Sequence, residues 1–145
     1  MAVASMFEIE VPARDWVAVP SGIYTIPEAC ACGPTEEELK KRGEPYISGI
    51  SYMRHNARGQ IIGDTDGFVK LLFSADDRSL LGVHIIAERA TELIHIGQAV
   101  MRLGGGIDYF IESVMTYPSL SVAFKYAAYD ALGKLSGGRR PAPLS

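Results

Sequence analysis

The sequence contains two strongly apolar segments, FVKLLFS at 68–74 and LLGVHIIA at 80–87, with the polar turn ADDR between them. Aliphatic, β-branched and aromatic residues in runs of this length, separated by a short turn, predict the two strands of a hairpin. Because both segments are apolar almost throughout, we expect both faces of the sheet to be covered. The sequence therefore predicts an α+β fold in which helices pack on an antiparallel β-sheet.

The segments before this hairpin predict further elements of the same fold. Strands are expected at 22–26 and 45–53, and Gly49 within the second of them indicates a bulge. Thr35 and Glu38 in PTEEELKKRG have the spacing of a capping box, which predicts a short helix there. Strands and helices thus follow one another from the beginning of the domain.

The segment RHNARGQIIGDTDG at 54–67 is rich in turn residues and predicts a loop or a hairpin turn. Its DTDG is similar to the start of a calcium-binding loop, but the glycine comes too early and no glutamate closes the loop at the required distance. The three histidines, His55, His84 and His95, also lack the spacing of metal ligands. We therefore expect no metal site.

The segment ERATELIHIGQAVMRL at 88–103 has the periodicity of an amphipathic helix. Its apolar residues cover a wider sector than packing on a single core requires, and Gly97 in mid-helix suggests that another backbone approaches closely there. A last helix is expected from Ser119, with Ser119 as its N-cap. The surplus apolar helix surface predicts self-association.

The composition fits a single domain and excludes several classes of partner. The chain has 145 residues, 21% of them charged, and a net charge of -3, so it lacks the basic surface that attracts nucleic acids or anionic membranes. It has no apolar run of the ~18 residues that a membrane span needs, and its beginning, MAVASMFEIE, lacks the basic start of a signal peptide. We expect a cytoplasmic protein with a lead-in segment at 1–20, a folded domain at 21–135 and a flexible tail at 136–145.

The residues alone indicate no self-contained active site. Cys30 and Cys32 are one residue apart, so in an extended segment their side chains point to the same face. A disulfide across so short a loop would be strained, and two reduced thiols on a sheet or turn are expected. The three glycines at 104–106 follow a predicted helix rather than a strand, so they do not form a dinucleotide-binding loop.

Five blocks of sequence together resemble one known module. They are VPSGIYTIPE, TEEELKKRGEPY, NARGQIIGDTDGFVKLLF, LLGVHIIAERATELIHIGQAVMRLGG and IDYFIESVMTYPSLSVAFKYAAYDAL, in this order over about residues 19–135. The module is the C-terminal dimerisation domain of the FAD-dependent pyridine nucleotide-disulfide oxidoreductases, and within that family the soluble pyridine nucleotide transhydrogenase branch is the most similar. The resemblance implies an antiparallel sheet with helices packed on it, in agreement with the pattern above.

The resemblance also implies what this chain lacks. Members of the family carry two Rossmann-type domains before this module, one for FAD and one for NAD(P), and neither nucleotide-binding fingerprint occurs in this sequence. The chain therefore resembles a fragment or a free-standing copy of the last domain. It is expected to bind no cofactor and to carry out no hydride transfer alone, whereas FAD and NAD(P) belong to a complete parent, whose missing domains would be its partners.

A functional edge is implied at MTYPSLS. In disulfide-reducing members a His-Pro pair reaches the partner subunit's flavin, and a glutamate five residues later orients the histidine. These positions are occupied here by Tyr117 and Val122, so no catalytic residue is expected in this chain. The transhydrogenase branch likewise has tyrosine before the proline. Tyr117 and Pro118 would thus line the flavin edge of the partner subunit in an intact parent.

The resemblance and the surplus apolar surface together predict a homodimer. The expected interface residues lie on the helix at 88–103, the MTYPSL segment and the last helix: Ala90, Leu93, Ile94, Gly97, Val100, Met101, Met115, Tyr117, Leu120 and Phe124. The favoured function is a homodimerisation domain of a transhydrogenase-like flavoprotein. The alternative is a stand-alone α+β dimer that has reused the module to bind a small molecule, although nothing in the sequence specifies a ligand.

Overall fold

A five-stranded antiparallel sheet in the order β1-β2-β5-β4-β3 forms the centre of the domain. The structure is a computed structural model that describes residues 4, 6–10 and 18–135. The strands are β1 (Ser21–Ile23), β2 (Glu28–Cys32), β3 (Tyr46–Tyr52), β4 (Phe68–Ser74) and β5 (Leu80–Ala87). The helices are α1 (Glu36–Arg42), α2 (Ala57–Ile62), α3 (Ala90–Arg102), α4 (Ile107–Glu112) and α5 (Val122–Leu135), and a 3-10 turn spans Met53–His55. The predicted α+β class with helices on an antiparallel sheet is confirmed.

The predicted hairpin is the central pair of strands, β4 and β5. Its register places Val69 opposite Ile85 and Leu71 opposite Val83, and all four side chains are buried in the core. The register shifts between Leu72 and Phe73, so the bulge lies in this hairpin. These apolar segments form strands because a β-branched or aromatic side chain packs well on a pleated surface that is covered from above.

The bulge that was predicted at Gly49 is absent, because β3 pairs with β4 in an unbroken register with Gly49 opposite Leu71. A glycine is needed at this position for a different reason. A Cβ atom at this position would collide with the backbone oxygen of Ala127 and lie 2.8 Å from the Cβ of Ala131, both on α5. Gly49 therefore lets the last helix pack directly on the backbone of β3.

The first predicted strand is shorter than expected, and β2 was not predicted at all. β1 ends at Ile23, and after a turn β2 pairs with it so that Gly22 lies opposite Cys30. The sequence of β2, EACAC, contains no β-branched or aromatic residue, which is why the pattern failed to indicate a strand. Cys30 and Cys32 do share one face, as predicted for an extended segment, and both are buried and free.

Three helices cover one face of the sheet. α3 packs on β5 and β2, α5 packs on β3 and β4, and α4 packs against α5. The ring of Phe110 on α4 stacks on Phe124 at 5.7 Å and meets the edge of Phe73 at 6.2 Å between centroids. At Gly97 of α3 the close neighbour is the side chain of Val83 rather than the backbone that was predicted. The glycine thus makes room for a β-branched residue of the central strand.

Helix α1 covers half of the opposite face, the half nearest the β4–β5 turn. Its predicted capping box is present, with Glu38 N bonded to the Thr35 hydroxyl at 3.2 Å and Thr35 N bonded to the Glu38 carboxylate at 2.7 Å. Leu39 of α1 and Leu72 of β4 are fully buried. The remaining half of this face is open, since Ile86 on the central strand is 37% exposed. The expectation that both faces are covered is therefore correct for only part of the sheet.

The predicted turn region at 54–67 contains the helix α2, which was not predicted. Asn56 ends the 3-10 turn and is the N-cap of α2, and Gly63 ends the helix with φ 80°. Among the predicted outer segments, the structure describes residues 4, 6–10 and 18–20 of the lead-in, whereas the predicted tail at 136–145 lies outside the described residues.

Candidate functional site

Four connections meet at one end of the sheet. The ends of β1, β3 and β5 and the beginnings of β2 and β4 all lie there, because every neighbouring pair of strands is antiparallel. The segment from α4 to α5 reaches the same end and carries Tyr117 and Pro118, which are joined by a cis peptide bond. The Tyr117 side chain is 69% exposed. The Tyr117–Pro118 turn, called the tip below, is thus exposed at this end of the domain.

A cleft of ≈ 420 Å³ lies beside this tip. Its residues come from α2, the β5–α3 junction and the segment that follows Tyr117: Arg58, Ile62, Glu88, Arg89, Leu93, Pro118, Ser119, Leu120 and Ser121. A second cleft of ≈ 350 Å³, between the β1–β2 turn and the loop after α2, shares Ile62 and Glu88 with the first. The combined surface has apolar patches with charged and hydroxyl groups between them, as protein interfaces do.

Asn56 connects the base of the cleft to the tip. Its Oδ1 accepts hydrogen bonds from the backbone N–H groups of Arg58 at 2.9 Å and Gly59 at 3.1 Å. Its Nδ2 donates to the backbone oxygen of Ser119 at 3.1 Å, and the side chain is only 1% exposed. One buried amide therefore both begins α2 and holds the residue that follows Pro118.

Two acidic side chains fix the opposite wall of the cleft, where β5 leads into α3. The backbone N–H of Glu88 donates to the Asp64 carboxylate at 2.8 Å, and Arg89 adopts a left-handed conformation with φ 60°. The Glu28 carboxylate of β2 accepts bonds from the Thr91 N–H at 2.9 Å and hydroxyl at 2.7 Å. The bonds from Thr91 hold the pKa of Glu28 below its ordinary value, so this carboxylate caps α3 in its charged form.

The structure places the predicted interface residues in two groups. Six of the ten are buried in the chain's own core: Ala90, Ile94, Gly97, Val100, Leu120 and Phe124. Leu93, Met101 and Met115 are half-buried, and Tyr117 is exposed. Only these four can present much side-chain surface to a second copy of the chain. Helical periodicity identified apolar residues correctly, but it could not show that the sheet and α4 already cover most of them.

The position of the family's glutamate does not contribute to the tip. Val122 is the first residue of α5, and its side chain is 7% exposed and has no hydrogen-bonding atom. α5 begins at Val122, so the prediction that Ser119 is its N-cap is wrong. The hydroxyl of Ser119 lies 2.8 Å from that of Ser121. This hydrogen bond joins the turn at Pro118 to the start of α5, and helical periodicity in the sequence does not predict it.

The histidines serve separate structural contacts. The Nε2 of His84 lies 3.1 Å from the backbone oxygen of Pro34, and the Nδ1 of His95 lies 2.9 Å from Oε1 of Gln98. The ring of His55 is 6.5 Å from that of Tyr52. Within the part of the chain that the structure describes, no three His, Cys, Asp or Glu side chains form a group that could hold a metal ion.

Sequence reasoning missed Asn56, the most buried polar residue at this end of the fold. The signal that could have found it is an asparagine directly before a short ARGQII segment that ends in glycine, which is the pattern of an N-capped helix. Its bond to Ser119, 63 residues further along the chain, has no local signal.

An antiparallel sheet with three helices on one face and one on the other, together with the exposed Tyr117–Pro118 tip, defines a small α+β domain. A family model described as pyridine nucleotide-disulphide oxidoreductase, dimerisation domain, matches residues 19–128. The chain belongs to this family of FAD- and NAD(P)-dependent oxidoreductases, and its described residues have the fold of the family's dimerisation domain.

Two soluble pyridine nucleotide transhydrogenases are similar to this chain in sequence. The chain is 51% identical over 116 residues to a soluble pyridine nucleotide transhydrogenase of Mycobacterium tuberculosis, covering 80% of this chain and 25% of that protein. It is 40% identical over 138 residues to the transhydrogenase of Colwellia psychrerythraea, covering 93% of this chain and 30% of that protein. The chain thus spans between a quarter and a third of the length of these relatives.

Solved structures confirm the fold. LpdA from Mycobacterium tuberculosis superposes with a TM-score of 0.79 at 23% identity, over 88% of this chain and 28% of that one. The HOCl-induced flavoprotein disulfide reductase RclA from Escherichia coli gives a TM-score of 0.80 at 22% identity, over 88% and 30%. None of the helices that the structure describes has the length and apolar character needed to cross a membrane.

Proposed function

We propose that this chain is the homodimerisation module of a soluble NAD(P) transhydrogenase-like flavoprotein oxidoreductase and is not catalytic alone. The observation that carries the proposal is the tip: Tyr117 is 69% exposed, yet the segment behind it is held by the buried side chain of Asn56. An exposed aromatic on a fixed base is suited to insertion into a partner. The family and the transhydrogenase relatives supply the kind of partner, a second subunit of a flavoprotein.

In this proposal each copy offers Tyr117 and Pro118 to the flavin edge of the other subunit. The phenol would pack against the cofactor site and exclude water. A proton-transfer role is not proposed, because a phenol is a poor proton shuttle for a thiol at neutral pH. Hydride transfer between the two nicotinamide nucleotides needs no such shuttle. The tip would therefore complete the shape of the site and perform no proton transfer.

The described residues lack the elements of a Rossmann-type dinucleotide site, which supports the proposal. FAD and NAD(P) sites of the Rossmann type need parallel strands and a glycine-rich turn between a strand and a helix. All strand pairs described in residues 18–135 are antiparallel, and the glycines at 104–106 follow α3. The cofactors would thus be bound by other domains of a cytoplasmic parent, and hydride transfer would depend on those domains.

The exposed apolar residues around the tip give the proposed interface its location. Tyr117, Val114 and Ile61 are 69%, 98% and 65% exposed. Leu93 and Met115, which belong to the interface residues predicted from the sequence, are half-buried. Aromatic and aliphatic side chains of this kind form the centre of stable protein interfaces. Leu93, Met115 and Tyr117 therefore keep their proposed role, whereas Met101 lines a cleft with Pro34 and Leu80 at the other end of the sheet.

Sedimentation equilibrium of the purified chain tests this proposal. We expect a dimer at tens of micromolar that dissociates when Tyr117 is replaced by serine. Tyr129→Ser, a matched change at the 47% exposed tyrosine of α5 outside the predicted interface set, should leave the dimer intact. A wild-type chain that remains a monomer at this concentration would contradict the proposal.

A stand-alone small-molecule binder is the second candidate, and the two clefts of ≈ 420 and ≈ 350 Å³ are the observation in its favour. Both volumes fall in the range of small-ligand sites, and Arg58 with Arg89 could attract an anionic group. The absorbance spectrum of the purified chain and the nucleotide content of its heat-denatured supernatant separate the candidates. Retained flavin or nucleotide would favour the binder.

A further inference from the structure

Asn56 makes one hydrogen bond more than its position in the helix requires. An N-cap residue needs only an acceptor for the first free N–H groups of its helix, and Oδ1 of Asn56 supplies it to Arg58 and Gly59 at 2.9 and 3.1 Å. Aspartate, serine or threonine would cap α2 equally well. The third bond, from Nδ2 to the backbone oxygen of Ser119 at 3.1 Å, needs an N–H donor on the same side chain.

The surroundings determine which atom of the amide is oxygen and which is nitrogen. Two backbone N–H groups on one side need an acceptor, and the Ser119 carbonyl on the other side needs a donor. Of the common N-cap residues, only asparagine supplies both functions from one planar group. The Asn56 side chain is only 1% exposed, so water could not replace a hydrogen bond that was lost there. Each of its three hydrogen bonds therefore matters for stability.

This third bond ends the segment that carries the tip. The segment begins at Ser113, whose backbone oxygen accepts a bond from Nζ of Lys125 at 2.9 Å. It ends at Ser119, which Asn56 holds. Tyr117 and Pro118 lie between these two fixed points. The tip is therefore tied at both ends to other parts of the fold.

The base to which Asn56 ties the tip is itself closely packed. A Cβ atom at Gly59 of α2 would lie 2.6 Å from the backbone oxygen of Met53 and 2.9 Å from that of Asp64. The carboxylate of Asp64 in turn accepts the bond from the N–H of Glu88 on the far wall of the cleft. α2 and the loop after it therefore lie between Ser119 on one wall and Glu88 on the other.

We propose that Asn56 is the positioning residue of the Tyr117–Pro118 tip, and that its donor to Ser119, rather than its cap of α2, sets where the tip lies. The consequence for a partner subunit rests on the proposed function, while the positioning itself concerns only this chain. Tyr117 makes the contact and Asn56 fixes its direction.

Backbone 15N relaxation of the 145-residue chain tests the proposal with two variants. Asn56→Asp keeps an acceptor for Arg58 and Gly59 but places an oxygen against the Ser119 oxygen, and Asn56→Ser keeps a smaller cap without an N–H donor. We expect order parameters at Tyr117 and Ser119 to fall from about 0.85 to below about 0.6 in both, while those of Arg58 and Gly59 stay near the wild-type values.

Thr35→Ala is the matched control, since it removes the cap of α1 at a distance from the tip. It should leave the order parameters at Tyr117 and Ser119 unchanged. The proposal is overturned if the tip stays rigid in both Asn56 variants, if α2 loosens as much as the tip, or if the Thr35 variant loosens the tip equally. Sedimentation of the same samples decides dimerisation separately, because the relaxation data can be recorded on a monomer as well as on a dimer.

Discussion

The carboxylate of Asp130 on α5 accepts a hydrogen bond from the backbone N–H of Ile50 on the edge strand β3 at 2.9 Å. Lys134, one turn later, donates to the backbone oxygen of Ser48 at 2.8 Å and pairs with Asp130 at 2.7 Å. These are the outward-facing groups of β3, which a neighbouring strand would otherwise bind. The last helix therefore closes this edge of the sheet with its side chains.

Replacing Asp130 by alanine should reopen the edge. We expect the free energy of unfolding to fall by about 1–3 kcal/mol, since a charge-assisted hydrogen bond is lost. Urea denaturation followed by circular dichroism measures this change. Asp130→Asn retains an acceptor oxygen and should lose less than half as much. Equal losses in the two variants would show that the bond to Ile50 is unimportant.

Gly49→Ala should destabilise the domain by about 1–3 kcal/mol, because the added methyl group would meet the rigid backbone of α5 rather than a movable side chain. Gly133→Ala is the matched control on α5, where an added Cβ meets nothing within 4 Å. That change should raise stability by about 0.5–1 kcal/mol, because alanine is the better helix former. Thermal and urea unfolding of both variants check the opposite signs, and a neutral Gly49→Ala would refute the close approach.

The stability of the domain should decrease as the pH falls through the ordinary range of histidine. Burial lowers the pKa of His84 from 6.5, and the charge of Lys70 lowers it further. The hydrogen bond to Pro34 and the charges of Glu36 and Glu38 raise it by less than burial lowers it. The unfolded chain therefore takes up a proton at a higher pH than the folded chain does. The stabilising effect of neutral His84 is complete above pH 6.5 and is lost as the pH falls from there towards the folded pKa.

His84→Gln should flatten this part of the profile, since glutamine can donate to the Pro34 oxygen without titrating. Urea midpoints between pH 8 and pH 5.5 measure the profiles of this variant and of the wild-type chain. This range lies above that in which the paired carboxylates Glu28 and Glu36, whose pKa values are lowered from 4.5, lose their charge. A His84→Gln profile as steep as the wild type would show that His84 is not responsible.

The parts of the fold that the sequence predicts correctly are those specified by local chemistry. The hairpin of β4 and β5, the capping box of Thr35 and Glu38 and the helix α3 depend on residues within a few positions of one another. In contrast, β2 is a strand because it adds to β5, and its EACAC sequence has no intrinsic preference for this state. Only the tertiary pairing decides such a segment.

The candidate site shows the same division. The resemblance singles out Tyr117 and Pro118 as the proposed flavin edge, and the 69% exposure of Tyr117 is compatible with that role. Asn56 acts through a residue 63 positions away, and Gly97 makes room for Val83 of another element, so neither role could be seen in the sequence. Ala90 and Phe124 have the apolar character of interface residues, but the fold uses that character for its own core.

The two thiols under α3 have a chemical consequence in a family named for disulfides. Burial raises the pKa values of Cys30 and Cys32, so the nucleophilic thiolate is scarce at neutral pH. Both sulfur atoms lie on the face of the sheet that α3 covers, where Cys32 is 1% exposed and Cys30, at 7%, borders a small surface cleft with Thr91. While the domain is folded, both thiols should therefore react slowly in thiol-disulfide exchange.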